Sequence, residues 1–319
     1  MMYTHIEYIL VHISFLMLFF ATLLSLINLF YQIEKLYRFN QNIMTVCFLC
    51  TTGFLVTRWF QAKHFPLSNL YESLLFLQWG FSLLYLTLYL KDKNGLARTV
   101  IAPSATLINV FASSSIPEQM QHSMILVPAS HSYWLIMHVS TMLISYATSL
   151  CGSLLAIILL SLLFTELTSN PVRLLKTKYE KNFFISHSTI YTTNQKQINE
   201  QNSSYLFFVT VQKCQLVNYL DRWIYKTISL GFCFLTLGIL SGSVWANEAW
   251  GSFWSWDPKE TWALVTWLFY AIYLHTKFDE RSSGELSAIA ASTGFSSIWI
   301  CFLGVNLLGV GLHNYGWLT

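Results

Sequence analysis

The chain has 319 residues, of which 54% are hydrophobic and only 10% charged, and its mean hydropathy is +0.48. Soluble domains carry about 25% charged residues, so the composition excludes an ordinary soluble protein and indicates a membrane protein. The net charge is only +3, and the sequence shows no basic face suited to nucleic acid. Nucleic acid is therefore not an expected partner. The six cysteines lie mostly in apolar runs, which argues against a disulfide framework.

Eight apolar runs are candidates for spanning helices, each of which needs about 20 residues. In chain order they lie near 8–31, 43–60, 69–90, 99–112, 133–165, 225–244, 260–277 and 289–311. We therefore predict an all-α polytopic membrane protein with about eight transmembrane helices. Five helices fall within residues 1–165 and three within residues 225–319, with a polar inner-face loop over residues 166–224 between them.

The charges predict how these helices are oriented. With the N-terminus outside, the inner loops hold all of the 18 Lys and Arg except Arg58, Lys63 and Lys259, as the positive-inside rule requires. The fourth run is the weakest, because it is short and contains Pro103. Removing it would place a basic loop on the wrong face, so we keep it and predict that both termini lie outside.

The polar loop is not expected to carry chemistry. Its middle, Thr192 to Ser204, is rich in Asn, Gln and Ser and is predicted to be disordered. Its last part, Tyr205 to Tyr225, is amphipathic enough to lie along the inner membrane surface.

The segment from Trp245 to Trp262 is the strongest functional signal, because six of the twelve tryptophans fall between Trp245 and Trp267. Tryptophan has a large flat face and one N–H donor, which suits either a membrane interface or a flat ligand. An interfacial belt needs only one or two aromatic residues per helix end, so we favour a site for a flat ligand. Its central contacts are predicted to be Trp250, Trp254 and Trp256, whereas Trp245 and Trp262 could equally be interface anchors.

Asp257, Pro258 and Glu260 are typical of a helix N-terminus. Asp257 can be the N-cap, Pro258 suits the first turn, and Glu260 stands at the capping-box position. The seventh helix is therefore expected to begin at Pro258 and to hold the tryptophan loop at the outer face.

Three histidines are candidate iron ligands. His138 stands in the first turns of a long apolar run, and His313 follows the last run on the same outer face, so both flank the tryptophan loop. Paired imidazoles on the two sides of a porphyrin are a common form of haem ligation. His275 lies 13 residues after Trp262, about 20 Å along a helix, which places it at the inner end of the membrane. It is an intramembrane histidine with either a functional or a packing role.

These residues resemble the CcsA/ResC family of system II cytochrome c biogenesis. The resemblance is carried by the signature Trp245 to Trp262, called the WWD domain, and by Trp134-Leu-x-x-His138-Val. It is also carried by the terminal Val305-Asn-x-Leu with His313, and by the stretch His64 to Glu72. It covers nearly the whole chain, and the composition suggests a plastid-encoded member, with a cyanobacterial one as the alternative.

The resemblance implies that haem b is the transported substrate. Haem would enter from the inner side, where His275 shares it with a histidine of a CcsB/ResB-type membrane partner. It would then reach the WWD site between His138 and His313, where Trp245, Trp250, Trp254, Trp256, Asp257 and Trp262 would bind it. There the Cys-x-x-Cys-His segment of apocytochrome c would form thioether bonds. The location implied is the thylakoid membrane, with the WWD loop and both termini in the lumen.

Several alternatives stay open at this point. The chain is expected to be a subunit of a cytochrome c synthase (haem lyase) complex, with no residue assigned as a catalytic acid or base. It could instead be a bis-histidine cytochrome b for electron transfer, or a haem chaperone of the system I type. Lys259 could pair with a haem propionate, with Glu260 or with a lipid phosphate. His64, Asn69 and Glu72 could line the outer site or stabilise the turn between helices two and three.

Overall fold

The computed structural model describes residues 2–31, 33–89, 95–116, 132–169, 196–278, 284–309 and 311. All regular secondary structure in these ranges is helical. The long helices are α1 (Met2–Tyr31), α2 (Glu34–Ala62), α3 (Leu70–Tyr89), α4 (Leu96–Ser115), α5 (Tyr133–Ser169), α6 (Lys196–Trp250), α7 (Pro258–Phe278) and α8 (Gly284–Trp299). After Trp299 the chain continues through a π-helical turn, Ile300–Gly304, and one α-helical turn, Val305–Leu308.

The prediction of an all-α polytopic membrane protein is confirmed. Five segments of the described chain are long and apolar enough to cross a membrane: His5–Tyr31, Glu34–Ala62, Tyr133–Thr165, Cys214–Trp250 and Gly284–Leu308. The helices α3, α4 and α7 coincide with the other predicted spans but are not among these five. α3 contains the polar residues Glu72, Gln78 and Ser82, which are fully buried among neighbouring helices. A total of eight spans stays a prediction.

The described parts of the predicted polar loop over residues 166–224 are helical. α5 extends to Ser169, and α6 begins at Lys196 and runs without interruption to Trp250. The prediction of disorder for Thr192 to Ser204 is accordingly wrong from Lys196 onward, and residues 170–195 lie outside the described chain. Four residues of α6 are buried at helical spacing: Tyr219, Leu220, Trp223 and Ile224. Their packing stabilises a part of α6 that its polar composition did not predict to be helical.

The packing centres on α5, which contacts α3, α4, α6 and α8. α5 and α6 share the most extensive interface, α8 packs against α5 and α7, and α1 to α4 form a neighbouring group. At the end that is predicted to face inward, Lys277 of α7 pairs with Asp221 of α6. At the opposite end, predicted to face outward, the hydroxyl of Ser132 donates to the Glu248 carboxylate at 2.8 Å. The tertiary structure therefore brings the start of α5, the end of α6 and the start of α7 to one end of the molecule.

Candidate functional site

The tryptophan segment 245–262 was predicted to be a loop. In the structure it is a helix–loop–helix. Trp245 to Trp250 form the last turns of α6, and only residues 251–257 are non-helical. Gly251 ends α6 with a positive φ of 76°, and its N–H donates to the Asn247 carbonyl at 3.0 Å, a common helix C-terminal arrangement. The apolar burial of Trp245 and Ala246 extends α6 further than the sequence pattern indicated.

The predicted start of α7 at Pro258 is confirmed by its hydrogen bonds. The Asp257 carboxylate accepts the Lys259 N–H at 3.2 Å, and the Glu260 carboxylate accepts the Asp257 N–H at 3.2 Å. Asp257 therefore acts as the N-cap, and Glu260 makes the returning hydrogen bond of a capping box. Glu260 also accepts the Ser255 N–H at 2.9 Å. The first turn of α7 thus fixes the conformation of the short tryptophan loop.

A cavity of about 300 Å³ lies between α5, α6, α7 and the π-helical turn after α8, at the lower end of the usual size range for ligand pockets. Among its lining residues are His138 from α5, Trp245 from α6 and Trp254 from the loop. Lys259 and Glu260 of α7 also reach its wall. The structure therefore brings together one predicted iron ligand and two predicted tryptophan contacts.

His138 is held in a defined orientation at this cavity. The Nδ1–H of its half-buried imidazole donates to the backbone carbonyl of Gly238 on α6, at 2.6 Å. A carbonyl oxygen only accepts hydrogen bonds, so Nδ1 carries the proton and Nε2 is the nitrogen with a lone pair for metal ligation. Histidines that bind a metal through one ring nitrogen usually donate the N–H of the other nitrogen to a carbonyl or carboxylate, as His138 does here.

The other predicted tryptophans do not line the cavity. Trp250 packs edge-on against Trp245, with ring centroids 4.8 Å apart, and so contacts a lining residue without lining the cavity itself. Trp256 is 71% exposed and meets Trp254 edge-on at 6.0 Å. Trp262 packs against the hydrophobic core. The structure thus separates a lining pair, Trp245 and Trp254, from three tryptophans with other surroundings.

The remaining predicted site residues differ in where they lie. Asp257 is buried and caps α7 outside the cavity wall. His275 lies near the inner end of α7 with an exposed side chain. Its ring forms no hydrogen bond or ion pair with the described residues. His313 lies outside the described residues, although Gly311 is described. A Cβ on Gly311 would come within 2.5 Å of Asp257 Oδ1, so the chain returns to the site at Gly311.

The turn between α2 and α3 has a structural role that also shapes the cavity. Asn69 caps α3 by accepting the Glu72 N–H at 2.8 Å. Glu72 accepts hydrogen bonds from both the N–H and the hydroxyl of Ser68, each at 2.7 Å, and Ser68 lines the cavity. His64 has a local contact, with its ring Nδ1 3.1 Å from the Phe65 carbonyl oxygen. The interpretation of Asn69 and Glu72 as turn stabilisers is supported.

The sequence did not single out several residues of the site. Tyr146, Cys301 and Phe302 line the cavity, and the Tyr146 hydroxyl lies 3.4 Å from Cys301 Sγ. They lie within apolar runs, so no signal distinguished them from core residues. Gly238 and Gly242 contact His138. Their spacing of four residues on a helix, which places both on one face, is a signal that could have found them.

The chain is similar along its whole length to proteins of known family. The sequence profile described as "Cytochrome C assembly protein" matches residues 67–313. A protein named "Cytochrome c biogenesis protein CcsA" from Adiantum capillus-veneris is 62% identical over 319 residues and covers 100% of both chains. Proteins of the same name from Cycas taitungensis and Marchantia polymorpha are 48% and 49% identical, and cover 100% and 98% of each chain.

Proposed function

The chain belongs to the CcsA family of cytochrome c assembly proteins, whose members handle haem in cytochrome c biogenesis, and we propose that its outer cavity presents haem for attachment to apocytochrome c. The observation that carries this proposal is the position of His138. Its imidazole lines the same cavity as Trp245 and Trp254, with its Nδ1–H bound to the Gly238 carbonyl. An oriented nitrogen ligand beside flat aromatic faces suits a ligand that is itself flat and contains iron.

Two further residues complete the proposed outer site. The chain reaches Asp257 at Gly311, which is two residues before His313, so His313 is proposed as the second axial ligand. Lys259 lines the cavity and is proposed to pair with a haem propionate, since a cation next to an apolar wall fits a ligand with carboxylates at one edge.

His275 is proposed to bind haem at the inner side together with a CcsB/ResB-type partner. The exposed ring near the inner end of α7 supports this proposal, since it leaves the imidazole accessible to another subunit. The distance along α7 from Trp262 to His275, about 20 Å, separates this position from the outer cavity. Two haem positions, one at each side of the membrane, would then define the route of haem through the complex.

The proposed chemistry is attachment by positioning. The S–H of each apocytochrome cysteine adds across a haem vinyl C=C, so that a C–S bond forms and the hydrogen goes to the other vinyl carbon. This addition transfers no electrons and needs no residue of the chain as an acid or base. The chain would supply orientation, with the exposed Phe253 and Trp256 beside the cavity as a surface for the apocytochrome. In this role the chain is a subunit of a cytochrome c synthase.

The proposed location is the plastid thylakoid membrane, with the tryptophan loop and both termini in the lumen. The support is the similarity to relatives from ferns, cycads and liverworts, together with the excess of Lys and Arg in the predicted inner loops. Under this orientation the cavity opens toward the compartment where the cytochrome domain would be matured.

The test is the haem spectrum of the chain purified with its CcsB/ResB-type partner. We expect His138→Ala and His313→Ala to abolish the same low-spin haem signal, and His275→Ala to remove a second signal that requires the partner. If none of the three substitutions changes the spectrum, or if no haem co-purifies with the complex, the assignment of the cavity to haem is wrong.

A further inference from the structure

We propose that Gly242 and the backbone carbonyl of Gly238 are the positioning elements that make His138 an iron ligand. On this proposal, the haem site requires the absence of a side chain at residue 242. The inference rests on the proposed function of the cavity, and it adds a part of the site that lies on α6 and not among the tryptophans.

The first observation is the hydrogen bond from His138 Nδ1 to the Gly238 carbonyl, at 2.6 Å. This bond selects the tautomer in which Nε2 carries the lone pair, and it fixes the plane of the ring. A hydrogen bond of this type also raises the basicity of a metal-binding imidazole. The carbonyl that does this belongs to the neighbouring helix, so ring orientation depends on how closely α5 and α6 approach each other.

The second observation is that the His138 ring lies directly over Gly242, which also lines the cavity. A Cβ at residue 242 would lie 2.6 Å from Cε1 of His138 and closer still to Nδ1. Atoms of real structures do not approach that closely, so any side chain at residue 242 would displace the ring or separate the two helices. Either movement breaks the hydrogen bond to Gly238.

A third glycine of α6 provides a matched control. Gly231 faces the same interface with α5, and a Cβ there would lie 2.8 Å from Thr148 Oγ1 and closer still to Ser149 Oγ. It lies eleven residues before Gly242, about 16 Å along the helix, and does not contact His138. An alanine at residue 231 therefore crowds the helix pair to a similar degree without touching the imidazole.

The experiment compares Gly242→Ala and Gly231→Ala in the full chain purified with its partner. We expect Gly242→Ala to lose the His138-dependent low-spin haem signal to the level of His138→Ala, while it keeps the His275-dependent signal as evidence of a folded complex. Gly231→Ala should keep both signals. Equal loss of the outer signal in the two alanine variants would overturn the proposal, because general crowding would then explain the effect.

A double variant separates positioning from packing. If Gly242 acts through His138, adding Gly242→Ala to His138→Ala should produce no further loss of haem. A further loss would show that Gly242 acts on the fold of the helix pair and would contradict the proposal. The single variant His138→Ala tests the proposed function itself. If His138→Ala leaves the haem spectrum unchanged, His138 is not an iron ligand and the proposed function fails. If His138→Ala loses the outer haem signal but Gly242→Ala keeps it, only the role of Gly242 is contradicted.

Discussion

At the scale of single residues, the tryptophans of one short loop have different surroundings and are expected to have different functions. Trp254 lines the cavity beside His138. Trp256, two residues later, adopts a positive φ of 58° and turns its side chain outward. The left-handed backbone is uncommon for a bulky residue, and here it places two neighbouring indoles on different sides of the loop.

We predict that Trp254→Ala weakens haem retention roughly three- to tenfold, because an aromatic contact contributes about 0.5–1.5 kcal/mol beyond its buried area. Trp256→Ala should change haem retention less than about twofold on the same reasoning, and should instead slow thioether formation with apocytochrome c. The measurements are haem content after purification and the rate of attachment in a reconstituted complex. Equal haem loss in the two variants would contradict the separation of their roles.

A second prediction concerns the cap of α7. Asp257→Ala removes the side chain that accepts the Lys259 N–H and should destabilise the protein by about 1 kcal/mol, the usual cost of losing an N-cap. Asp257→Asn keeps a good capping group and should remain close to the unsubstituted chain. The thermal unfolding midpoint in detergent measures both. If the asparagine variant is as unstable as the alanine variant, the stabilisation by Asp257 depends on its negative charge. Helix capping alone would then not account for it.

At the scale of the helices, three elements are joined by one buried ion network. Arg58 of α2 donates to Glu7 of α1 at 2.7 Å and to Glu72 of α3 at 3.0 Å. All three side chains are nearly inaccessible. Because Glu72 also holds Ser68 at the cavity wall, this network links the packing of the first three helices to the shape of the site.

We predict that Arg58→Met destabilises the protein by about 3–5 kcal/mol, since it leaves two buried carboxylates without their cation. The exposed Arg38→Met on the same helix is the matched control and should have an effect within about 0.5 kcal/mol, as is usual for surface substitutions. Thermal unfolding in detergent compares them. A triple variant with Glu7→Leu and Glu72→Leu added to Arg58→Met should regain much of the loss. If it does not, the charges have a function beyond mutual compensation.

At the scale of the whole molecule, the orientation of the chain determines which site faces which compartment. Cys214 is exposed near the inner part of α6, whereas Ser252 lies in the loop beside the cavity. The two positions are on opposite sides of the membrane in the proposed topology, and Cys47, Cys151 and Cys301 are buried in the described structure.

We predict that a membrane-impermeant maleimide labels Cys214 in intact thylakoids, since the stromal face of these vesicles is accessible. A cysteine introduced by Ser252→Cys in a Cys214→Ser background should be labelled only after the vesicles are opened. The Cys214→Ser chain alone is the control for the remaining thiols. The reverse pattern of labelling would invert the topology and would exclude attachment in the lumen.

The sequence predicted those features that depend on local pattern. Apolar runs of spanning length identified the helices, and the residues Asp257, Pro258 and Glu260 specified the start of α7 by short-range hydrogen bonds. Runs of polar residues did not predict the helix that begins at Lys196, and burial against other helices is seen in its part from Tyr219 to Ile224. Composition records what a segment is made of and not what packs against it.

The sequence by itself thus determined the membrane class, the apolar centres of the helices, the family resemblance and the three candidate ligands, since each follows from residue type and spacing. Only the tertiary structure decided that Trp245 and Trp254 line the cavity while Trp256 faces outward. It also decided that Gly238 and Gly242, a hundred residues beyond His138 along the chain, set the orientation of its ring. The spacing of the two glycines indicates one face of α6, but these relations are contacts between helices, and the residue that meets this face depends on how closely two backbones approach.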